Sequence, residues 1–381
     1  MAKVLFITNI AGSEMKVDFC IGSMTACDEL GLEFHSVANR SQASRDQISN
    51  DEKAYGIYLY HADISRSPLA MSNIKAYKQI VNLIKHEGID YIHCNTPVGG
   101  LLGRLAGKKC KVKKVIYQAH GFHFYKGAPL KNRLIYETVE RWLAHYTDAL
   151  ITINQEDYEA AKKFKLRNRG QAYFVHGVGI NVSLFQENVF KSDIRKKLNL
   201  NNQDIILISA GELNENKNNR VIFEAMAILR NPHIHYILCG TGALKESLEQ
   251  LAVKKGIEEN VHFLGYRSDI SSLYTEADVY VMPSFREGLS RSMMEAMASG
   301  LPCIASEIRG NTDLIENGAG GFLCPATDVE AFAKAIDKVA RSSDLRQKMR
   351  AHNLDKIKQY DVSVVEREMT HIYEEVLLEN K

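Results

Sequence analysis

The sequence of 381 residues lacks any apolar run that approaches the roughly 20 residues of a membrane-spanning helix. Its seven cysteines are scattered, odd in number and free of any C-x-x-C pair, which favours reduced thiols over a disulfide scaffold. No H-E-x-x-H motif or Cys/His cluster predicts a zinc site. The opening MAKVLFITNIAG has one lysine and no A-x-A site, so it predicts a strand rather than a signal peptide. These absences favour a cytoplasmic protein without a metal.

Two more absences narrow the class of protein. No G-x-G-x-x-G follows a predicted strand, which disfavours an NAD-dependent oxidoreductase. The net charge is only +2, so total charge gives no support for a nucleic-acid partner, and none is expected. No repeat or low-complexity tract is present, and the 45% hydrophobic content is that of an ordinary globular chain.

What is present is an alternation of apolar strand patterns and helical patterns. It predicts strands near 4–10, 91–95, 114–121 and 148–154, then again near 205–212, 235–242, 261–265, 278–284 and 302–306. The length favours two domains, and the rhythm restarts after a predicted linker over 181–200. We therefore expect an α/β protein with two Rossmann-like, doubly wound parallel-sheet domains facing a central cleft. Their expected bounds are 1–182 and 183–361, with the helix of 362–381 packing back on the first.

Two glutamates stand eight residues apart in SFREGLSRSMMEAMASGLP. Glu287 falls in the loop that leaves a predicted strand, and Gly288 allows close backbone approach. The amides of Leu289 and Ser290 head the next helix, where an anion is stabilised. Glu295 lies inside that helix, where a buried carboxylate needs partners such as ribose hydroxyls. The alternative is that Glu295 faces water and Glu287 caps the helix.

A lysine in an unfavourable place is the second sign. In ISAGELNENKNNRVIFEAM, Lys217 lies near a helix N-terminus, where it opposes the helix dipole. Gly211 and Asn214 lie close to it in the sequence. A phosphate between the lysine and the helix explains the arrangement, whereas the alternative is a solvated loop.

The third and fourth signs follow predicted strands of the first domain. His120 and His123 come directly after a strand, where a histidine can bind a hydroxyl or a phosphate or act as acid or base. Local structural hydrogen bonding is the alternative. Gly12, after the first strand, permits close backbone approach to a phosphate.

Positive charge is concentrated between Arg104 and Arg133, a stretch with nine basic residues and no Asp or Glu. It is either a solvated basic surface or a face for anionic lipid or a phosphorylated acceptor. The segment 129–142 reads as a helix with apolar and basic sides that could lie on a membrane interface. The candidate residues for this face are His123, Lys126, Lys131, Arg133, Lys113 and Lys114.

Together these motifs resemble the retaining GT4-type glycosyltransferases, which have the GT-B fold. The resemblance is carried by the E-x7-E element in EGLSRSMMEAMASGLPCIAS, by GELNENKN, and by IRGNTDLIENGAGGFLCP. The segment HGFHFYKGAPLKNRLIYETVERWL is similar to the branch that builds bacterial capsule, exopolysaccharide and protein-linked glycans on polyprenyl diphosphate.

The resemblance implies a role for each candidate residue. It implies that Lys217 contacts the donor diphosphate, that Glu287 lies beside the transferred sugar, and that His120 lies near the reacting centre. These three are the catalytic candidates. The donor-binding candidates are Gly12, Gly211, Asn214, Lys217, Tyr266, Arg267, Gly288, Leu289, Ser290 and Glu295, with Tyr266 and Arg267 at the nucleobase and Glu295 at the ribose.

The implied reaction moves a sugar, expected to be an N-acetylhexosamine or a related sugar, from a UDP-sugar to a polyprenyl-diphosphate-linked saccharide at the inner face of the membrane. The chain has no D-x-D pair, so no metal cofactor is expected. Glu212 departs from the family pattern, since many relatives have arginine there. The alternatives are a sugar-nucleotide 2-epimerase or glycan phosphorylase of the same fold, and a non-catalytic module that binds nucleotide sugar or lipid.

Overall fold

The computed structural model describes residues 1–9, 17–187 and 190–378. The chain divides into two compact units. The first comprises Met1–Gly179 together with Val362–Lys381, and the second comprises Ile180–Asp361. Each unit is built around one parallel sheet with helices between its strands.

The first unit has seven strands among the described residues, in the order β3-β2-β1-β4-β5-β6-β7, all parallel. The strands are β1 (Lys3–Ile7), β2 (Glu33–Ala38), β3 (Tyr58–His61), β4 (Tyr91–Asn95), β5 (Lys114–Ala119), β6 (Ala149–Thr152) and β7 (Gln171–Phe174). Central strands of such a sheet are covered on both faces, and therefore read as continuous apolar runs. In β1, the four residues after Lys3 are at most 1% exposed.

The second unit repeats this order with six strands among the described residues, β10-β9-β8-β11-β12-β13. They are β8 (Ile205–Ala210), β9 (Ile234–Cys239), β10 (Val261–Gly265), β11 (Val279–Met282), β12 (Cys303–Ser306) and β13 (Gly321–Cys324). All are parallel. The order reverses between β8 and β11, so the loops after these two strands turn to opposite faces and leave a crevice at the carboxyl edge.

Helices connect the strands in both units. They are α1 (Val17–Glu29), α2 (Arg45–Tyr55), α3 (Ser72–Glu87), α4 (Pro97–Cys110), α5 (Leu130–Ala144), α6 (Gln155–Ala161), α7 (Ser183–Gln186), α8 (Ile194–Lys197), α9 (Arg220–Leu229), α10 (Lys245–Lys255), α11 (Ile270–Glu276), α12 (Arg291–Ala298), α13 (Asn311–Leu314), α14 (Val329–Ala340), α15 (Ser343–Lys356) and α16 (Val362–Tyr373). The expected linker over 181–200 contains α7 and α8, and its Val182 and Ile194 are buried in the second unit. The last helix, α16, packs on α1 of the first unit.

Close packing of α4 on the first sheet depends on glycine. A Cβ on Gly100 would lie 2.3 Å from the ring of Tyr117, and a Cβ on Gly103 would lie 2.5 Å from Cβ of Cys94. No real Cβ tolerates such distances, so the backbone of the helix lies directly on the side chains of β4 and β5. This close packing fixes the position of the amino end of α4, which follows Asn95 at the carboxyl edge of the sheet.

We expect Gly103→Ala to lower the free energy of unfolding by about 1–3 kcal/mol, because the new methyl group has no room. Gly22→Ala is the matched control. Gly22 is also buried in a helix, but its Cβ would meet Met369 at an ordinary 3.5 Å, so we expect no loss of stability. Thermal unfolding followed by circular dichroism measures both. Equal unfolding midpoints for the two variants would show that the close packing of α4 on the sheet does not limit stability.

Candidate active site

A pocket of about 600 Å³ opens at the carboxyl edge of the second sheet, where the loops after β8 and β11 diverge. Eight of the residues predicted from the sequence line it: Gly211, Lys217, Tyr266, Arg267, Glu287, Leu289, Ser290 and Glu295. Glu212, the residue that departs from the family pattern, lines it too. The pocket thus collects residues from separate stretches of the sequence at one place.

Lys217 and Glu287 form an ion pair across the crevice. Lys217 Nζ lies 2.7 Å from Glu287 Oε1, although the residues are 70 positions apart. Their side chains are 23% and 15% exposed, so the pair is partly shielded from water yet open to the pocket. A cation held in this way can turn to a bound anion by exchanging one acceptor for another.

The asparagines around Lys217 hold its loop in place. Asn214 Oδ1 accepts from the amide of Lys217, at 3.1 Å, and Asn214 is absent from the pocket lining. Asn216 donates to the carbonyl of Arg286, and Asn218 donates to two carbonyls, those of Pro283 and Ala326. The sequence predicts that Asn214 binds the donor, and the observed bond of its Oδ1 adds a role in positioning the loop of Lys217. We call these three asparagines the asparagine clamp.

Glycine is required where the loops after β8 and β9 meet. Gly240 has φ = +157°, and a Cβ there would lie 1.8 Å from the carbonyl oxygen of Gly211. Glycine is required at position 310 for the same reason, because a Cβ on Gly310 would lie 2.3 Å from the carbonyl oxygen of Gly288. Gly288 therefore packs on the IRGN segment and is not among the residues that line the pocket.

Helix α12 begins at the pocket. Ser290 is its N-cap, and the Ser290 hydroxyl accepts from the amide of Met293. Glu295 Oε1 accepts from Arg291 Nε at 2.9 Å, and its side chain is 15% exposed. Glu295 thus faces the pocket with a cationic neighbour. The opposite side of the helix is core, with Met293, Met294 and Met297 at most 1% exposed.

The outer wall of the pocket is more open. Tyr266 is 81% exposed, and Arg267 forms a two-point ion pair with Asp269, with Nη2 2.6 Å and Nε 2.8 Å from its oxygens. A flat exposed tyrosine ring suits stacking on a nucleobase. Ile270 and Thr241, which the sequence reasoning missed, also line this part of the pocket.

Arg309 is a further residue that the sequence reasoning missed. Its side chain is 7% exposed, and its Nε donates to the carbonyl oxygen of Glu287 at 3.2 Å. This bond orients the peptide that carries the carboxylate of the ion pair. The sequence offered a signal for this residue, because Arg309 lies in the IRGN segment that carries part of the family resemblance. It directly precedes Gly310, which packs on Gly288.

In the first unit, His120 lies at the carboxyl end of β5. Its Nε2 is 3.0 Å from Asn95 Oδ1 at the end of β4, and the Phe19 ring packs on it at 4.6 Å. Burial lowers the pKa of His120 to about 4, so the ring is neutral near pH 7. Asn95 is fully buried, and its Nδ2 has no hydrogen-bond partner in the described part of the chain. Gly12 lies outside the described residues.

The predicted basic face is divided between two ends of the sheet. His123 follows the carboxyl end of β5 and packs on Tyr136 at 4.9 Å, with Lys126 in the same loop. Lys113 and Lys114 lie at the opposite edge, where β5 begins, and Lys113 pairs with Asp90 at 2.7 Å. The six candidates therefore do not form one cluster around His120.

Lys131 and Arg133 lie in the first turn of α5. Both are exposed, and Arg133 lies 4.0 Å from Glu137. Across residues 1–9, 17–187 and 190–378, no helix is long and apolar enough to span a membrane, and no three His, Cys, Asp or Glu side chains are grouped as metal ligands.

A family model described as "Glycosyl transferases group 1" matches residues 190–354, and a "Glycosyl transferase 4-like" model matches residues 24–154. The chain is 38% identical over 351 residues to "Putative glycosyltransferase EpsD" of Bacillus subtilis strain 168, covering 91% of this chain and 90% of that protein. The chain belongs to the group 1 glycosyltransferases, family GT4. GT4 enzymes are retaining, and the resemblance inferred from the motifs is confirmed.

Two more similarities extend this assignment. The chain is 29% identical over 314 residues to the "UDP-Gal:alpha-D-GlcNAc-diphosphoundecaprenol alpha-1,3-galactosyltransferase" of Escherichia coli, covering 81% of this chain and 80% of that protein. The structure of Anabaena HepE with UDP-glucose matches with a TM-score of 0.77 and 18% identity, over 98% of this chain and all of that one. The likeness shows the GT-B fold for this GT4 glycosyltransferase.

We expect Lys217→Gln to weaken UDP binding about 10- to 100-fold, the worth of one charge-assisted hydrogen bond to phosphate. Arg220→Gln is the matched control, because Arg220 is an exposed cation three residues further on that pairs with Glu224. Isothermal titration with UDP measures both variants. Equal UDP affinity in Lys217→Gln and wild type would contradict a contact between Lys217 and the diphosphate of UDP.

Proposed function

We propose that the chain transfers a sugar from a UDP-sugar to a saccharide linked to polyprenyl diphosphate, with retention of anomeric configuration. One observation supports it above the others. Lys217, the amino end of α12 and Glu295 line one pocket at the point where the strand order reverses. A cation, helix amides and a carboxylate are the groups that a diphosphate and a ribose need.

The donor's parts correspond to the pocket as follows. The diphosphate lies between Lys217 and the amides of Leu289 and Ser290. The ribose hydroxyls donate to Glu295, and the nucleobase lies against Tyr266 and Arg267. This assignment is supported by the presence of all six residues in the lining of one pocket.

The chemistry then depends on charge that develops on the leaving diphosphate. The backbone of Lys217 and the amino end of α12 are held before reaction by the asparagine clamp and the N-cap, and donors held in this way stabilise developing negative charge. Once Lys217 turns to the diphosphate, the carboxylate of Glu287 is released toward the transferred sugar. There it orients the sugar or stabilises positive charge at the anomeric carbon. The leaving diphosphate takes the proton of the acceptor hydroxyl on the same face.

On the acceptor side, His120 is the catalytic candidate that the first unit offers to the acceptor hydroxyl. Its neutral ring can donate or accept a hydrogen bond to a sugar hydroxyl. Asn95 Nδ2 is a second donor at this place. We propose an N-acetylhexosamine or a related sugar as the transferred group and a reaction that needs no metal ion, since the sequence has no D-x-D pair.

The protein is proposed to work as a peripheral enzyme on the cytoplasmic face of the membrane. The support is α5, whose exposed apolar side chains are Leu130, Leu134, Ile135, Val139 and Trp142, each 40–83% exposed. Both glutamates of α5 are ion-paired, Glu140 with Arg104 and Glu137 with Arg141. The exposed side is therefore apolar with Lys131 beside it, which suits an anionic bilayer surface.

Nucleotide release tests the proposed reaction. UDP-, GDP- and ADP-sugars are compared with and without a polyprenyl-diphosphate-sugar acceptor, in EDTA and in Mg²⁺. We expect release from one UDP-sugar, dependent on acceptor and equal in both buffers. Turnover without acceptor would favour a same-fold 2-epimerase, and activity only with Mg²⁺ would overturn metal independence.

Sedimentation with lipid vesicles tests the membrane face. We expect binding to vesicles that contain anionic lipid at low salt, and at least a several-fold loss in the double variant Leu134→Ser/Trp142→Ser, because each removes apolar area from the interface. Val253→Ser, 63% exposed on α10 of the second unit, is the control. Wild-type protein that stays in solution at low salt would rule out this face as a membrane contact.

A further inference from the structure

The loop that leaves β3 carries an apolar surface for which the proposed reaction has given no use so far. Leu69 is 91% exposed, Met71 is 77% exposed and Ile74, in the first turn of α3, is 54% exposed. Single exposed apolar side chains are common, but a group within six residues is a candidate contact surface. We call these three residues the β3-loop patch.

The β3-loop patch is exposed because its loop is held that way. Asn73 is 7% exposed; its Oδ1 accepts from the amide of Ser65 at 2.9 Å, and its Nδ2 donates to the carbonyl of Ser67 at 2.8 Å. The amide of Ala70 also bonds to the carbonyl of Ser67. The backbone on both sides of Leu69 is thus held by hydrogen bonds, with the Leu69 side chain exposed.

Positive charge accompanies the patch. Arg66, three residues before Leu69, is exposed and forms no ion pair with any residue that the structure describes. The acid of the same loop, Asp63, is already bonded to Lys75 at 2.9 Å. An exposed guanidinium on the same loop as exposed apolar side chains matches a ligand with a phosphate head and a hydrocarbon chain.

The patch lies at the same edge of the sheet as His120. All strands of this sheet are parallel, so the loops after β3 and β5 leave the same edge. Four strand spacings separate β3 from β5, or about 19 Å. A ligand that reaches both places is elongated, as a saccharide joined through a diphosphate to a lipid chain is.

We propose that the β3-loop patch and Arg66 form the subsite for the lipid end of the acceptor. Arg66 contacts the diphosphate, and the patch contacts the isoprene units next to it. The inference rests on the proposed function, since it assigns the lipid part of that acceptor. The proposed lipid contact of the β3-loop patch is separate from the membrane contact proposed for α5, whose exposed apolar side chains extend along the whole helix.

Binding of farnesyl diphosphate, with the donor pocket saturated by UDP, tests the subsite. We expect Leu69→Ser/Met71→Ser to weaken farnesyl diphosphate binding about tenfold or more, because apolar contact is lost. The same variant should bind inorganic diphosphate as wild type does, whereas Arg66→Gln should weaken binding of both ligands. The matched controls are Ile228→Ser, 55% exposed in the second unit, and Arg45→Gln, exposed in α2.

Transfer assays distinguish this inference from the proposed function. Unchanged farnesyl diphosphate binding and unchanged acceptor KM in Leu69→Ser/Met71→Ser overturn the subsite and leave the proposed function standing. A wild-type protein that transfers to no polyprenyl-diphosphate-linked sugar overturns both. If the variant instead loses binding to vesicles that contain no acceptor, the patch contacts the bilayer, and the subsite is overturned. A raised acceptor KM with unchanged kcat and unchanged vesicle binding supports it.

Discussion

The ion pair between Lys217 and Glu287 is the interaction on which the candidate donor site depends. It connects the loop after β8 to the loop after β11 at the place where the strand order reverses, so it spans the crevice in which α/β sheets bind ligands. The asparagine clamp repeats this connection with neutral hydrogen bonds to the carbonyls of Pro283 and Arg286. Two loops that are far apart in the sequence are therefore fixed relative to each other on either side of the pocket.

The two units use the same sheet order but leave different chemistry at the carboxyl edge. In the second unit the edge carries opposite charges in contact, which suits a charged leaving group. In the first unit the edge carries His120 and Asn95, which are neutral near pH 7 and largely enclosed, as the low pKa of His120 indicates. Neutral donors bind hydroxyl groups without attracting the diphosphate. This division matches a reaction in which one substrate is a nucleotide and the other presents a hydroxyl.

Much of this arrangement was predictable from the sequence. The apolar runs of β4 and β10 were predicted with their observed bounds, because both runs are short, apolar and ended by turn residues. The strands missed were β2, β3, β7 and β13. Three of these, β3, β7 and β13, lie at sheet edges, where one side lacks a neighbouring strand. In β2, which has a neighbour on both sides, His35 interrupts the apolar pattern, yet it is buried beside Tyr58 and Tyr60.

The motifs located Lys217 and Glu287, but not their contact, because local spacing carries no information on residues 70 positions apart. The strand order carries it: the first and fourth strands of a doubly wound sheet are neighbours, so the loops that follow them meet. The capping bond of Asn214 was not predicted for a related reason, since an asparagine that caps a short turn and one that binds phosphate look alike in a sequence.

The asparagine clamp and the ion pair also have a consequence for selectivity. Lys217 already has an anion beside it, so a ligand gains from this lysine only the difference between its own charge and that of Glu287. A singly charged ligand gains almost nothing by the exchange, whereas a diphosphate, with more charge and more acceptor oxygens, gains a net attraction. The carboxylate of Glu287 thus competes with anionic ligands for Lys217, and only a ligand with more negative charge displaces it. It would keep the pocket from being occupied by the small monoanions that are abundant in any cell.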